Sequence, residues 1–299
     1  MIEFPISGVE TYWWLPVVVA FVISCFTSMG GLSGAFLLLP FQMSILGFTG
    51  PAVSPTNLVY NIVSIPSGVY RYYREKRMVW PLTWTIVLGT IPGVFLGVII
   101  RVEYLPDPTA FKLFVGLVLL YLGIRLCLDI LKKSKSSSNN SASGERFEVS
   151  PLEFNIRRIG YEFEGEQYYA SSIGLFALSF VVGIVGGTYG IGGGAIIAPF
   201  LVVVFGLPVY TVAGAALMAT FVTSIAGVFF YSVIAQFYAN TGLAIAPDWQ
   251  LGALFGIGGF AGMYVGARLQ RYMPARVIKV LIAACLLFVA GKYVIGYFL

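Results

Sequence analysis

The 299 residues contain no histidine, only three cysteines and a charged fraction of just 10%. Ordinary soluble domains carry roughly 25% charged residues. A chain that is 58% hydrophobic, with a mean hydropathy of +0.88, is therefore not a water-soluble enzyme, and its length is consumed by bilayer spans. Lack of histidine removes the most adaptable general base and metal ligand. Every Asp and Glu falls in a terminus, in a loop or at the edge of an apolar block, as Asp129 does. Intramembrane proteolysis, metal transport and typical proton relays need such groups inside the spans. The expectation is a non-enzyme with no metal and no cofactor.

Cys25, Cys127 and Cys285 each lie inside an apolar block and form no CxxC pair. They read as small buried hydrophobes, with a thiol role beside a glycine-rich break as the alternative for Cys25. The net charge of +5 sits in a few loops instead of a patch interleaved with aromatics, so nucleic acid is not an expected partner. The stretch before the first apolar block carries Glu3 and Glu10 but no Lys or Arg. It lacks the basic region of a cleaved signal peptide, so the first block is expected to stay in the mature protein.

Apolar blocks run from Trp13 to Leu46, Val53 to Tyr73, Trp80 to Ile100, Ala110 to Ile130, Ile173 to Phe205, Val209 to Phe237, Trp249 to Leu269 and Val277 to Phe298. They divide the chain into a first repeat at 1–131, a linker at 132–169 and a second repeat at 170–299. The linker opens with KKSKSSSNNSASGE, which cannot bury apolar surface. Its second part alternates apolar and charged residues around Gly165, as a short solvent-exposed hairpin would.

The two sets of blocks are copies. At an offset of 159, Gly31, Gly34, Pro40, Gly47, Leu58, Gly68 and Tyr72 match Gly190, Gly193, Pro199, Gly206, Leu217, Gly227 and Tyr231. After an insertion the offset becomes 169, and Trp80, Gly89, Gly93 and Gly97 match Trp249, Gly258, Gly262 and Gly266. Each copy thus holds a GxxxGxxxG helix, whose smooth face lets a neighbour approach closely. Packing is the plain reading, and a sliding interface the functional one.

The first block of each copy is interrupted by glycines, at SMGGLSGA and at GGTYGIGGGA. Each remaining piece is shorter than the ~30 Å hydrocarbon thickness requires. If both blocks fold back, all basic residues except Arg101, Lys112 and Lys292 share one face; a single crossing would split them, against the positive-inside tendency. Folding back is therefore expected, and with it equivalent loops on opposite faces. The predicted architecture is an all-α polytopic membrane protein of two inverted-topology repeats, each a glycine-broken, re-entrant helix pair followed by three transmembrane helices. Such repeats recur in transporters. The basic loops and the linker are expected in the cytoplasm, with both termini outside the cell membrane.

Irregular backbone at membrane depth survives only inside protein or against a water-filled cavity. A helix restarting there presents free N–H groups and a positive dipole end. Candidate substrate-binding residues are therefore Gly30, Gly31, Ser33 and Gly34 in the first break, and Gly187, Thr188, Tyr189, Gly190, Gly192 and Gly193 in the second. The competing reading is that the glycines only permit a tight kink. Gly190-x-Gly192-x-x-Ala195 also fits a dinucleotide-binding pattern, but no acid follows until Asp248, so that match is discarded.

Ser54-Pro55 reads as a helix N-cap followed by proline at the first helical position. Asn57, Asn61, Ser64, Gly68 and Arg71 then fall on one helix face. Thr220 and Thr223 occupy the places of Asn61 and Ser64 in the second copy. These stripes line a shared permeation path or serve interhelical packing. Arg71 either draws anions into the mouth of the path or anchors topology. A donor-rich, carboxylate-free path favours a small anion, and an anion leaving a cell that is negative inside gains about 2.3 kcal/mol per charge per 100 mV. Besides that anion the expected partner is membrane lipid; monomer and homodimer both stay open.

GGTYGIGGGAIIAPFL, its degenerate partner GGLSGAFLLLPF and SPTNLVYNIVSIPSGVYRYYREKRM resemble the sulfite exporter TauE/SafE family of membrane permeases. The resemblance covers nearly the whole chain apart from the linker. It implies an exporter of sulfite or small organosulfonates. In the first copy Ser33, Ala35 and Phe36 stand opposite Gly192, Gly194 and Ala195, which breaks strict two-fold symmetry of the site. Import or bidirectional passage of another small solute is the alternative within transport, and a non-transporting assembly or sensor component the alternative outside it.

Overall fold

The protein is described here from a computed structural model covering residues 1–29, 33–74, 78–131, 150–155, 158–163, 165–269 and 275–298. Eleven helices make up most of these residues. The first repeat supplies α1 (Trp14–Met29), α2 (Ala35–Ser44), α3 (Val53–Ser64), α4 (Pro66–Arg74), α5 (Trp80–Ile99) and α6 (Pro108–Leu131). The second supplies α7 (Ser172–Tyr189), α8 (Gly194–Val204), α9 (Val209–Phe237), α10 (Trp249–Leu269) and α11 (Ala275–Phe298). Five helical stretches among the described residues are long and apolar enough to cross a bilayer, and α1 and α2 are shorter apolar helices. This is a polytopic membrane protein.

Two strand regions lie outside these helices: one before α1 that the sequence does not suggest, and one in the linker, where the hairpin expected around Gly165 is present but gains a third strand and buries one face. Strands β1 (Ile2–Phe4) and β2 (Val9–Thr11) pair antiparallel before α1. Strands β3 (Ser150–Phe154), β4 (Arg158–Phe163) and β5 (Glu166–Ser171) form a three-stranded antiparallel sheet, with Gly165 turning the chain at φ +78°. Period-two alternation puts Ile159, Tyr161 and Phe163 on one buried face. The Tyr161 hydroxyl lies 2.8 Å from Thr211 Oγ1 at the start of α9, and burial pushes its pKa up to about 12.

A departure from the expected spans lies within the helices. The first repeat's second block is not one span, because the helix pauses at Ile65 and resumes as α4 from Pro66. Proline has no N–H to return to the preceding turn. Its counterpart α9 runs uninterrupted for 29 residues.

The first block of the second repeat doubles back. Glycines at 190 and 192 hold φ of +87° and +73°, a region costly for side-chain-bearing residues. Gly190 closes α7 as a left-handed C-cap, its N–H bonded to Gly186 O at 2.9 Å. α8 then returns until Phe205, the residue that follows it, reaches Gly174 in the first turn of α7.

The two GxxxGxxxG faces have the partners that a pair of equivalent copies would give them. A Cβ at Gly93 or Gly97 of α5 would overlap the carbonyl oxygens of Phe180 and Ile184 in α7, and one at Gly89 would strike that of Phe176. In α10, Gly258, Gly262 and Gly266 meet the carbonyl oxygens of Val17, Phe21 and Cys25 in α1. Each residue in the second set lies 159 positions before its counterpart on α7. The helices of each repeat therefore exchange partners: α5 packs on α7 and α10 on α1, while α3 packs on α10 and α9 on α5. Backbone lies close against backbone, joined by the Ser179 side chain at Gly89 and the Ser28 hydroxyl at Gly266.

Candidate functional site

The predicted site residues converge on α3. Asn57 and Asn61 are fully buried one turn apart. Asn57 Nδ2 donates to Ala35 O at 3.0 Å and to Gly190 O at 2.9 Å, and its Oδ1 accepts from Gln42 Nε2 at 3.2 Å. Asn61 Nδ2 donates to Ile191 O at 3.0 Å, and its Oδ1 accepts from Ser33 Oγ at 3.1 Å. One asparagine pair thus ties the restart of the first broken helix to the left-handed turn of the second. Each amide has enough donors and acceptors for both tasks. Buried carbonyls freed by a chain reversal must find such donors or cost 1–3 kcal/mol each, roughly.

Around the second break the other predicted residues are buried as well. Thr188 Oγ1 donates to Gly97 O and Ile184 O at 3.0 and 2.9 Å, and Tyr189 donates to Phe36 O at 2.9 Å. The carbonyl of Gly187 accepts from the Tyr231 hydroxyl at 2.9 Å. The hydroxyls of Thr220 and Thr223 turn back to Ala216 O and Ala219 O on their own helix, at 2.8 and 2.7 Å. They bond the preceding turn instead of pointing donors at a neighbour. No side chain caps α8 at Gly193, or α2 at Gly34.

Ser54 overturns its sequence reading. It is no N-cap: α3 starts one residue earlier, at Val53, and Ala52 holds the cap position with no side-chain bond. The Ser54 hydroxyl instead donates to Thr188 O at 3.1 Å, and its backbone abuts Gly190. Gly30 and Gly31 lie outside the described residues, as does the side chain of Arg71, which belongs to α4.

Besides Ser64, which the sequence places on the polar stripe, several polar residues at this place carried no sequence signal as site residues. Gln42 sits inside α2 with its Oε1 unpartnered, and Ser64 and Ser224 have buried hydroxyls without a hydrogen bond. Ser224 Oγ is 3.2 Å from where a side chain on Gly192 would begin. Tyr60 is fully buried and shares a 2.8 Å hydrogen bond with Ser24. The repeat offset pairs Ser224 with the apolar Ile65, so comparing the copies hides it.

Two cavities lie away from the breaks. One of about 370 Å³ is apolar, set between Pro66 and Tyr73 of α4, Met78, and Met218 and Phe221 of α9. The other, about 320 Å³, is lined by Ser44, Thr109, Lys112, Lys292 and Tyr293. Among the described residues, no group of three or more Cys, Asp or Glu is placed to hold a metal ion.

Long apolar helices, helices broken by glycine inside the protein, and buried donors gathered at the breaks define the class: a polytopic membrane transporter. The chain belongs to the sulfite exporter TauE/SafE family, whose model matches residues 16–293. It is 27% identical over 202 residues to "Probable membrane transporter protein YunE" of Bacillus subtilis (strain 168), an alignment spanning 64% of this chain and 68% of that protein. It is 22% identical over 275 residues to "Probable membrane transporter protein YjnA" of the same organism, covering 91% and 95% of the two chains. No solved structure matches the chain.

Proposed function

We propose that this transporter exports a small sulfur-containing oxyanion, sulfite or a short organosulfonate, between two repeats of inverted topology. The observation that carries the reading is the meeting of the two broken helices on Asn57 and Asn61. Beside them stand the uncapped start of α8 and the unpartnered hydroxyl of Ser224. A helix N-terminus and neutral donors suit an oxyanion and repel a cation. The substrate site comprises Gly30 to Gly34, Gly187 to Gly193, Asn57, Asn61, Ser64, Thr220 and Thr223, to which we add Ser224. It is tightly packed here, with glycine backbone against Ser54, Thr90 and Thr220, so passage requires the helices at the breaks to separate.

The reciprocal glycine faces support two-fold-related repeats, and the distribution of charge supports their inversion. Arg74 of α4 and Arg158 of β4 belong to elements near Thr211 and Gly214, at one end of α9. Lys112 and Lys292 belong to the opposite end, with the N-terminal strands and the loop before α10. The basic end is cytoplasmic on the positive-inside rule. Both termini are then extracytoplasmic.

Purified protein in liposomes loaded with sulfite, or with a two- or three-carbon sulfonate, tests the function. Efflux should be saturable and should accelerate when the vesicle interior is made negative. Absence of efflux for every oxyanion tried ends the exporter reading. Single cysteines replacing Lys76 and Arg276 test the topology, and both should label from the cytoplasmic face only.

A further inference from the structure

The most unusual charge in the molecule lies one hydroxyl away from the second glycine break. Arg101 is fully buried. It sits where α5 widens into one turn of π-helix, Ile100–Tyr104, a distortion found mostly as single turns and often at functional sites. Its guanidinium carries five N–H donors and a charge that does not titrate away. Nε donates to Ser54 Oγ at 3.3 Å, Nη2 to Gly50 O at 3.2 Å and Nη1 to Leu105 O. The ring of Phe111 covers the guanidinium at 3.6 Å.

All three acceptors are neutral. Among the described residues no carboxylate stands within ion-pair distance. The nearest acid in sequence, Glu103, is exposed and takes the Tyr238 hydroxyl instead. A buried cation without a counter-ion is among the most costly arrangements in a protein, and breaking up a pair by removing one partner has the same effect. Stacking on an aromatic ring offsets only a part. At an offset of 169 the second repeat has Gln270 in place of this arginine, between Arg268 and Arg271. A structural hub made of three neutral bonds would serve as well without a charge.

We propose that Arg101 is the residue that receives the oxyanion at the end of the path near Gly50, and that the absent counter-ion is the substrate itself. In the closed state its donors rest on Ser54 Oγ, Gly50 O and Leu105 O. The Ser54 hydroxyl in turn bonds Thr188 O at the edge of the break, so an anion arriving from Gly190 meets Ser54 and then the guanidinium. Two oxygens of a sulfite or sulfonate group match the guanidinium fork. On passage they replace the neutral acceptors, which frees the Gly50 loop and the end of α5 from each other. This inference rests on the exporter reading above.

The test compares wild type, Arg101→Gln and Arg101→Lys for sulfite efflux from liposomes and for sulfite-dependent rise in thermal stability in detergent. Arg101→Gln should lower efflux on the order of ten- to a hundred-fold and abolish the sulfite-dependent stabilisation. Arg101→Lys keeps the charge without the fork, and it should retain both effects at weaker apparent affinity. A folded Arg101→Gln protein with wild-type efflux and wild-type stabilisation overturns the assignment and leaves the exporter reading standing. If wild type neither passes nor responds to any oxyanion, the exporter reading itself fails and takes this one with it. Should the Gln variant not fold, wild-type crystals soaked in selenite decide the matter. An anomalous peak within hydrogen-bond distance of the Arg101 guanidinium supports the assignment, and a peak elsewhere with none at Arg101 refutes it.

Discussion

Helices α3 and α9 hold the same place in the two repeats, yet they use their polar side chains in different ways. From α3, Asn57 and Asn61 reach across the molecule to Gly190 O and Ile191 O in the other repeat. From α9, Thr220 and Thr223 reach only to the preceding turn of their own helix. The difference follows from chemistry: an amide group on Cβ extends past its helix and offers two donors and an acceptor, while a hydroxyl placed directly on Cβ falls within reach of the i−4 carbonyl. At the second break, α3 thus supplies the amides that hold Gly190 O and Ile191 O, while α9 contributes the Tyr231 hydroxyl to Gly187 O.

The largest effects test whether the backbones are equivalent. Gly93→Leu places a side chain on Phe180 O and Gly262→Leu places one on Phe21 O; both should leave no monodisperse protein on size-exclusion chromatography. A well-folded variant at one position but not the other would break the equivalence. Next come the side chains that differ. Asn57→Leu and Asn61→Leu strand buried carbonyls and should each cost about 2–4 kcal/mol, read as a lowered melting temperature, and should abolish efflux in whatever protein folds. Thr220→Val gives up a bond made within one helix and should stay within about 1 kcal/mol of wild type.

Smaller still are the paired turns at Gly47 and Gly206, whose φ values are +69° and +66° with nothing within 4 Å of a would-be Cβ. Gly47→Ala and Gly206→Ala should destabilise alike, by about 1 kcal/mol, through strain alone. The smallest effect belongs to the three-stranded sheet. A tyrosine with a pKa raised in the folded state loses nothing while the unfolded chain is also protonated. Docking of the sheet through Tyr161 should therefore be unchanged below pH 10, the ordinary tyrosine value, and weaken as the pH rises towards about 12. Limited proteolysis of the 150–171 region across that range should show it, and Tyr161→Phe should remove the dependence.

Much of this arrangement was legible in the sequence. Glycines four apart read as a smooth helix face for close packing, and the structure presses both faces on backbone of helices α7 and α1. The reversal at Gly190 was suggested by a block too short on either side of its break and chosen over a kinked span by the side on which the basic residues fall. What stayed hidden depended on neighbours distant in the chain. Ser54 resembled a cap because Ser-Pro is a capping pattern, but Thr188 and Arg101, which decide its role, are remote in sequence. Arg101 served as a topology mark because nothing in IIRVEYLP reveals whether a flanking arginine snorkels outward or folds in beneath Phe111. Pro66 was visible, yet prolines at 16, 40 and 92 lie within unbroken helices, so its interruption of α3 and α4 could not be singled out.

The exchange of partners between repeats also sets an order of assembly. Helix α1 is made long before α10, yet the surface that covers Val17, Phe21 and Cys25 belongs to α10. Until α10 is synthesised, α1 can only wait in lipid or hold a provisional neighbour, whereas α5 meets α7 after a shorter delay. Contacts so distant in sequence are slow to form because their loop must close before they stabilise anything. Helix α1 is thus locked well after it is made, and a ribosome stalled before Trp249 leaves its backbone-fitting face without a mate.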